Sequence, residues 1–267
     1  MRSATLSPDG AAIAQTTPIA ASTTPTGNAT MPVVRSAGPR EYASSAPSAH
    51  TVPSGASSTV GFVAPDGGGE IVRGPNIKPV PLGEPVAESL EAPVLLKLGD
   101  KVSTDDISPA GSAVLVFRSN VPAIAEFCFK YIDPEFAARA KAAGRGIIVG
   151  GETYGQGSSR EAAAHGPMFL GVRAVIAKSF ARIHRTNLIN WGVVPLVFDD
   201  PSAWAGIERD DRLRLPGLRA QLAAGERITI VNARSGAGIT ATCVLTPRER
   251  EILLSGGILA HTRAGRA

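Results

Sequence analysis

Five short apolar runs rich in β-branched residues recur along the chain: GIIVGG from 146, RAVIA from 173, VVPLVF from 193, RITIVN from 227 and ITATCVL from 239. Helical patterns lie between them. Runs of this length suit strands and are too short for buried helices. Strands spaced by helices imply a sheet with helices packed over it. The helix candidates are VPAIAEFCFKYI, PEFAARAKAAG, SREAAAHGPMFLG, SFARIHRTNLI and TPREREILLSGG, most with a Ser, Thr or Pro start and a Gly stop. A first strand is expected in PVLLKLGDKV, from Pro93. The expected fold class is therefore α/β, a mixed β-sheet covered by helices across residues 94–262.

Residues 1–69 break this pattern. They consist largely of Ala, Ser, Thr, Pro and Gly with few charges, as in AASTTPTGNAT and SSAPSAHTVPSGASST, and carry no period of 2 or 3.6. Such a stretch buries too little apolar surface to offset its ordering entropy, so a disordered leader is expected. An organelle-targeting segment would be equally acid-poor and hydroxyl-rich but richer in arginine. Residues 70–93 form a Pro-rich connector.

The formal net charge is +4, and Lys and Arg are scattered and not in runs, which argues against nucleic acid as a partner. No apolar run approaches the ~18 residues of a membrane span. The N-terminus lacks a compact apolar signal core, and a cytoplasmic protein is expected. Cys128 and Cys243 each stand alone in an apolar stretch. They read as small buried hydrophobes and not as a disulfide framework or metal knuckle.

Chemistry is most legible from Gly150 onward, in GGETYGQGSSREAAAHG. Gly155 and Gly157, with Gly150 and Gly151, allow positive φ and close ligand approach, and Ser158 or Ser159 stands where an N-cap hydroxyl belongs. A helix N-terminus with free N–H groups is an anion site. Arg160 in a first helical turn would face the positive end of the macrodipole, so an anion between them is expected. The plainer alternative is a capped helix with Arg160 paired to Glu161 or to a distant acid. The pattern is neither a Walker loop nor a dinucleotide fingerprint. In GDKVSTDDISPAGSAVLVFRSN, from Gly99, Ser103, Thr104 and Asp105 mark a turn, and Arg118 follows an apolar run, near a strand end.

STDDISPAG, RSN, YGQGSSRE and GVRAVIAKSFARIHRTNLINWGVVPL, in this order, resemble the C-terminal swivel domain of aconitases, especially the shorter bacterial kind. IVRGPNIKPVP upstream and PREREILLSGG downstream extend the likeness over residues 70–262. The small subunit of isopropylmalate isomerase resembles only the GSSRE and RAVIA portions. The aconitase resemblance implies a domain that closes over a tricarboxylate bound to a [4Fe-4S] cluster and interconverts citrate and isocitrate through cis-aconitate. It implies Ser158 as the base that takes a proton from carbon, and Ser159 and Arg160 as carboxylate ligands beside it. Arg118 would hold the remote carboxylate, and Asp105 would orient its neighbours. An alkoxide base needs N–H groups and a cation around it, and arginine forks suit a substrate made of carboxylates.

Asp106 and Ala162 stand where the family usually shows histidine; Asp106 would weaken anion binding unless it points away. His165 is a candidate to offset the second loss. The family's three cluster-binding cysteines precede the swivel domain. The cluster is therefore expected on a partner, either a large subunit or missing N-terminal domains, with no metal held by this chain. The alternatives are a small subunit of an isopropylmalate- or homoaconitate-type isomerase, and a non-catalytic fragment that keeps the fold.

Overall fold

The computed structural model describes residues 73–265; the expected leader, residues 1–69, lies outside the described residues. The strands are β1 (Leu90–Lys97), β2 (Gly146–Gly150), β3 (Val172–Ala177), β4 (Val194–Phe198), β5 (Arg212–Leu215), β6 (Arg227–Asn232) and β7 (Gly238–Thr242). They close into a barrel in the order β1-β2-β3-β4-β7-β6-β5. The pairs among β1, β2, β3 and β4 are parallel. The remaining four, including the closing β1–β5 pair, are antiparallel. The sheet is mixed, as expected; its closure is a finding.

Two apolar layers explain the strand sequences. Along β2 and β3, Ile147, Val149, Ala174 and Ile176 point into the barrel. Ile148, Val175 and Ala177 point outward, into a second core with Phe129, Phe136 and Tyr154. Strands buried on both faces read as continuous hydrophobic runs. In the antiparallel half only one face is covered, so β5, RLRL, alternates exposed and buried. That alternation on four residues hid β5 from the run-based reading. The first strand starts at Leu90, three residues before the expected Pro93.

Nine helices pack around the described barrel: α1 (Thr104–Ile107), α2 (Ser112–Leu115), α3 (Val121–Ala125), α4 (Phe136–Ala143), α5 (Ala162–Phe169), α6 (Arg182–Asn190), α7 (Leu218–Ala224), α8 (Pro247–Leu254) and α9 (Ile258–Ala264). α8 starts as its sequence demands: Glu249 N–H donates to Thr246 Oγ1 at 3.2 Å, and Thr246 N–H donates to Glu249 Oε2 at 2.9 Å. The helix expected over 121–132 stops at Ala125, because the chain turns to bury Phe129, whose ring meets Phe136 edge-on at 4.7 Å. The apolar run before Arg118 forms α2 and a turn, so Arg118 does not end a strand; its N–H donates to Leu115 O at 3.2 Å.

Asp211 ties the barrel's closing seam. Its carbonyl accepts from Val94 N–H at 2.8 Å. Its carboxylate accepts from Glu208 N–H at 2.8 Å, Asn232 Nδ2 at 2.7 Å and the Arg234 guanidinium, with Nη2 at 3.0 Å. It is 4% exposed, so these donors replace water.

Candidate functional site

Loops leaving the carboxyl ends of the parallel strands β1, β2 and β3 converge at one end of the barrel, where ligands of open α/β sheets also gather. The β1 loop is zipped to the β2 loop by backbone. Gly155 N–H donates to Val102 O at 2.8 Å, and Thr104 N–H donates to Gln156 O at 2.8 Å. The buried Thr104 hydroxyl donates to Ser158 O at 3.0 Å. This bond draws the serine segment out of helical geometry. α5 therefore begins at Ala162 with Glu161 as N-cap, correcting the expectation that Ser158 or Ser159 caps it and that Arg160 lies in its first turn. Among the described residues, the amides of Ser158, Ser159, Arg160, Glu161 and Ala162 meet no acceptor. Successive N–H groups without a backbone acceptor are available to an anion where they converge.

A cleft of about 180 Å³ opens here, and its walls carry Ser158, Ser159, Arg160, Arg182, His184 and Asn187. Ser158 and Ser159 are exposed. Arg160 Nη1 pairs with Asp105 across 55 residues of sequence, the distant-acid pairing foreseen as the plainer alternative. The guanidinium hydrogen bond holds the Asp105 carboxyl below its usual range. Asp106 turns away: it accepts from Ser103 N–H at 2.8 Å and Ser103 Oγ at 2.7 Å, closing the capping box of α1. Arg118 does not enter this cleft. It lines a neighbouring one of about 260 Å³, with Arg160 on the shared wall.

Gly155 and Gly157 hold φ of +81° and +103°, as the loop reading required; Gly150 and Gly151 do not have positive φ. Gly155 also lies on His184, and a Cβ there would sit 2.2 Å from the ring. His184 is 2% exposed, and both ring nitrogens lack a partner among the described residues. Burial lowers its pKa to about 4, so it is neutral. Arg182, His184 and Asn187 escaped the sequence reading; the available signal was their place just after β3. Gly155→Ala is expected to cost at least about 2 kcal/mol, from backbone strain together with the clash on a buried ring. A thermal melt of the variant checks this, and an unchanged midpoint would refute the packing.

The cysteines do not suit an iron–sulfur cluster. Cys128 lies in the outer core and Cys243 in the barrel. Burial raises both thiols, Cys243 to about 12, whereas cluster ligands are thiolates. Among the described residues, no group of three or more His, Cys, Asp or Glu could hold a metal ion.

A seven-stranded mixed barrel with a glycine-rich cleft at the ends of its parallel strands defines a mixed α/β domain with a ligand-accessible rim. The family described as aconitase C-terminal domain matches residues 133–201, which include Ser158, Ser159 and Arg160. Aconitate hydratase A of Bradyrhizobium diazoefficiens is 32% identical over 238 residues, covering 67% of this chain and 26% of that protein. The mitochondrial aconitate hydratase of Saccharomyces cerevisiae is 35% identical over 188 residues, covering 62% and 24%. The crystal structure of 3-isopropylmalate dehydratase from Methanocaldococcus jannaschii aligns with a TM-score of 0.55 at 31% identity, covering 67% of this chain and 95% of that one. The chain belongs to the aconitase C-terminal domain family.

The chain spans about a quarter of the length of these two aconitate hydratases. The relatives' names also correct the expectation of a cytoplasmic protein: those from Saccharomyces cerevisiae, Gracilaria gracilis and Caenorhabditis elegans are named mitochondrial. No helix among the described residues is long and apolar enough to cross a membrane.

Proposed function

We propose that the chain is the swivel part of a hydro-lyase of the aconitate hydratase class, interconverting citrate and isocitrate through cis-aconitate. The observation that carries this reading is the run of five unpaired amides from Ser158 to Ala162, beside two exposed serine hydroxyls and Arg160. Ser158, as an alkoxide stabilised by these N–H groups, takes the proton from the substrate carbon. Ser159 and Arg160 hold the adjacent carboxylate, Asp105 steers the Arg160 fork, and Arg118 holds the remote carboxylate from the neighbouring cleft. The [4Fe-4S] cluster belongs to a partner, either a large subunit or domains preceding the swivel in the full enzyme. The residues of this chain do not fit it, and departure of the hydroxyl depends on that partner. The swivel domain would then begin with β1 at Leu90, not at 94, and run through α9, with residues 70–89 as its connector and 1–69 a separate leader.

The test mixes the full chain with a cluster-loaded large subunit and follows cis-aconitate by absorbance. Citrate titrated into the chain alone should bind in the millimolar range or more weakly, because one loop and a few arginines supply only a few kcal/mol. Arg160→Lys should weaken that binding at least about fivefold, since a point charge cannot replace a planar fork. Still amides at residues 155–161 throughout the titration would sink the site.

A second reading is favoured by the 95% coverage of the isopropylmalate dehydratase chain: a small subunit acting on 2-isopropylmalate or homocitrate. Activity on those acids and none on citrate would select it. Failure with every large subunit would leave a non-catalytic module.

A further inference from the structure

His165 is the polar side chain of α5 that the capping geometry does not explain. It is 7% exposed, and its Nδ1 is buried with no partner among the described residues. The Trp191 ring meets it edge-on at 5.1 Å and fixes its plane. The other edge of the imidazole opens on the cleft of about 260 Å³ that carries Arg118 and Arg160, and on an adjoining one of about 350 Å³ that carries Arg118 and Lys78. Glu161 is the acid on both walls.

The tautomer follows from burial. A proton on Nδ1 would leave an unpaired donor in the core, and orphaned buried N–H groups are rarer than under-satisfied acceptors. A proton on Nε2 instead leaves only an acceptor buried and presents an N–H to the cleft that Arg118 and Arg160 also line. A donor there can meet the Glu161 carboxylate on the same walls or, with substrate bound, an oxygen of an anion held by the arginines.

We propose that His165 donates its Nε2–H to the remote substrate carboxylate held by Arg118, making it a further binding residue of the site. The inference rests on the carboxylate-binding reading given above. Burial brings the pKa of His165 to about 4, so the ring serves as an uncharged donor at neutral pH and adds orientation without adding a third cation to the cleft.

Citrate is the probe, titrated into the full chain carrying ¹⁵N-labelled histidine. The chain has four histidines, and the resonance missing from His165→Gln assigns the ring. The Nε2 resonance should shift in step with occupancy. His165→Phe, which keeps the ring packed on Trp191, should weaken citrate binding about tenfold, as for loss of a hydrogen bond to a charged group. His165→Gln, with an amide near the same place, should stay within about threefold of wild type. If the Phe variant does not fold, the wild-type resonance and the Gln variant decide. An unmoved Nε2 signal, with Arg160→Lys still weakening citrate, overturns the role of His165 and leaves the proposed function intact. No citrate binding by the wild type overturns both.

Discussion

Ser158→Ala is expected to lower turnover of the reconstituted hydro-lyase about 10²–10⁴-fold, the range of a positioned proton-transfer group, while changing citrate binding by less than about twofold. The split follows from the loop. In the proposed function the anion is held by the amides of residues 158–162 and the arginines, and alanine keeps the amide of its own position. The Ser158 carbonyl, which accepts from the Thr104 hydroxyl at 3.0 Å, is also unchanged, so the loop keeps its anchor. What is lost is the oxygen proposed to take the proton. A raised KM with kcat unchanged would make Ser158 a binding residue only, and retained turnover with unchanged binding would move the base elsewhere.

Asp211→Ala is expected to destabilise the domain by about 2–4 kcal/mol, because the fully buried Asn232 amide and the Glu208 N–H lose their acceptor while the half-exposed Arg234 guanidinium can turn to water. For a domain of this size the melting midpoint should fall by about 10 °C at pH 7. The Arg234 guanidinium holds the Asp211 carboxyl well below the carboxylate range. A group with a depressed folded-state pKa stabilises above its unfolded value, about 3.9, and loses that contribution as pH falls below it. The gap between the wild type and the variant should therefore begin to narrow below about pH 4 and shrink progressively as pH falls toward the depressed folded value. A constant gap down to pH 2 would show that packing, not charge, carries the effect.

The sequence revealed those features that are local. β2, β3 and β4 announce themselves because both faces are buried, and α8 because its cap and its acid stand three residues apart. The glycine-rich loop was equally plain, since Gly155 and Gly157 do adopt positive φ. Features set by distant partners were not. Barrel closure depends on Leu90 facing Leu215, a pairing that no local period encodes. The start of α5 is moved by Thr104, 54 residues away from Ser158, and the partner of Arg160 lies 55 residues off. Arg118 was misplaced onto a strand because an apolar run of that length cannot be told from a short helix and turn by period alone.

Closure of the sheet has a further consequence for assembly. A barrel presents no unpaired edge strand, so a second chain cannot attach by extending its hydrogen-bond ladder. Any subunit this domain meets must be engaged through loops and helix faces, and separation of the two would break no backbone ladder. With the partner of the proposed function, the domain would be free to tilt toward and away as one piece, with the serine loop carried on its rim.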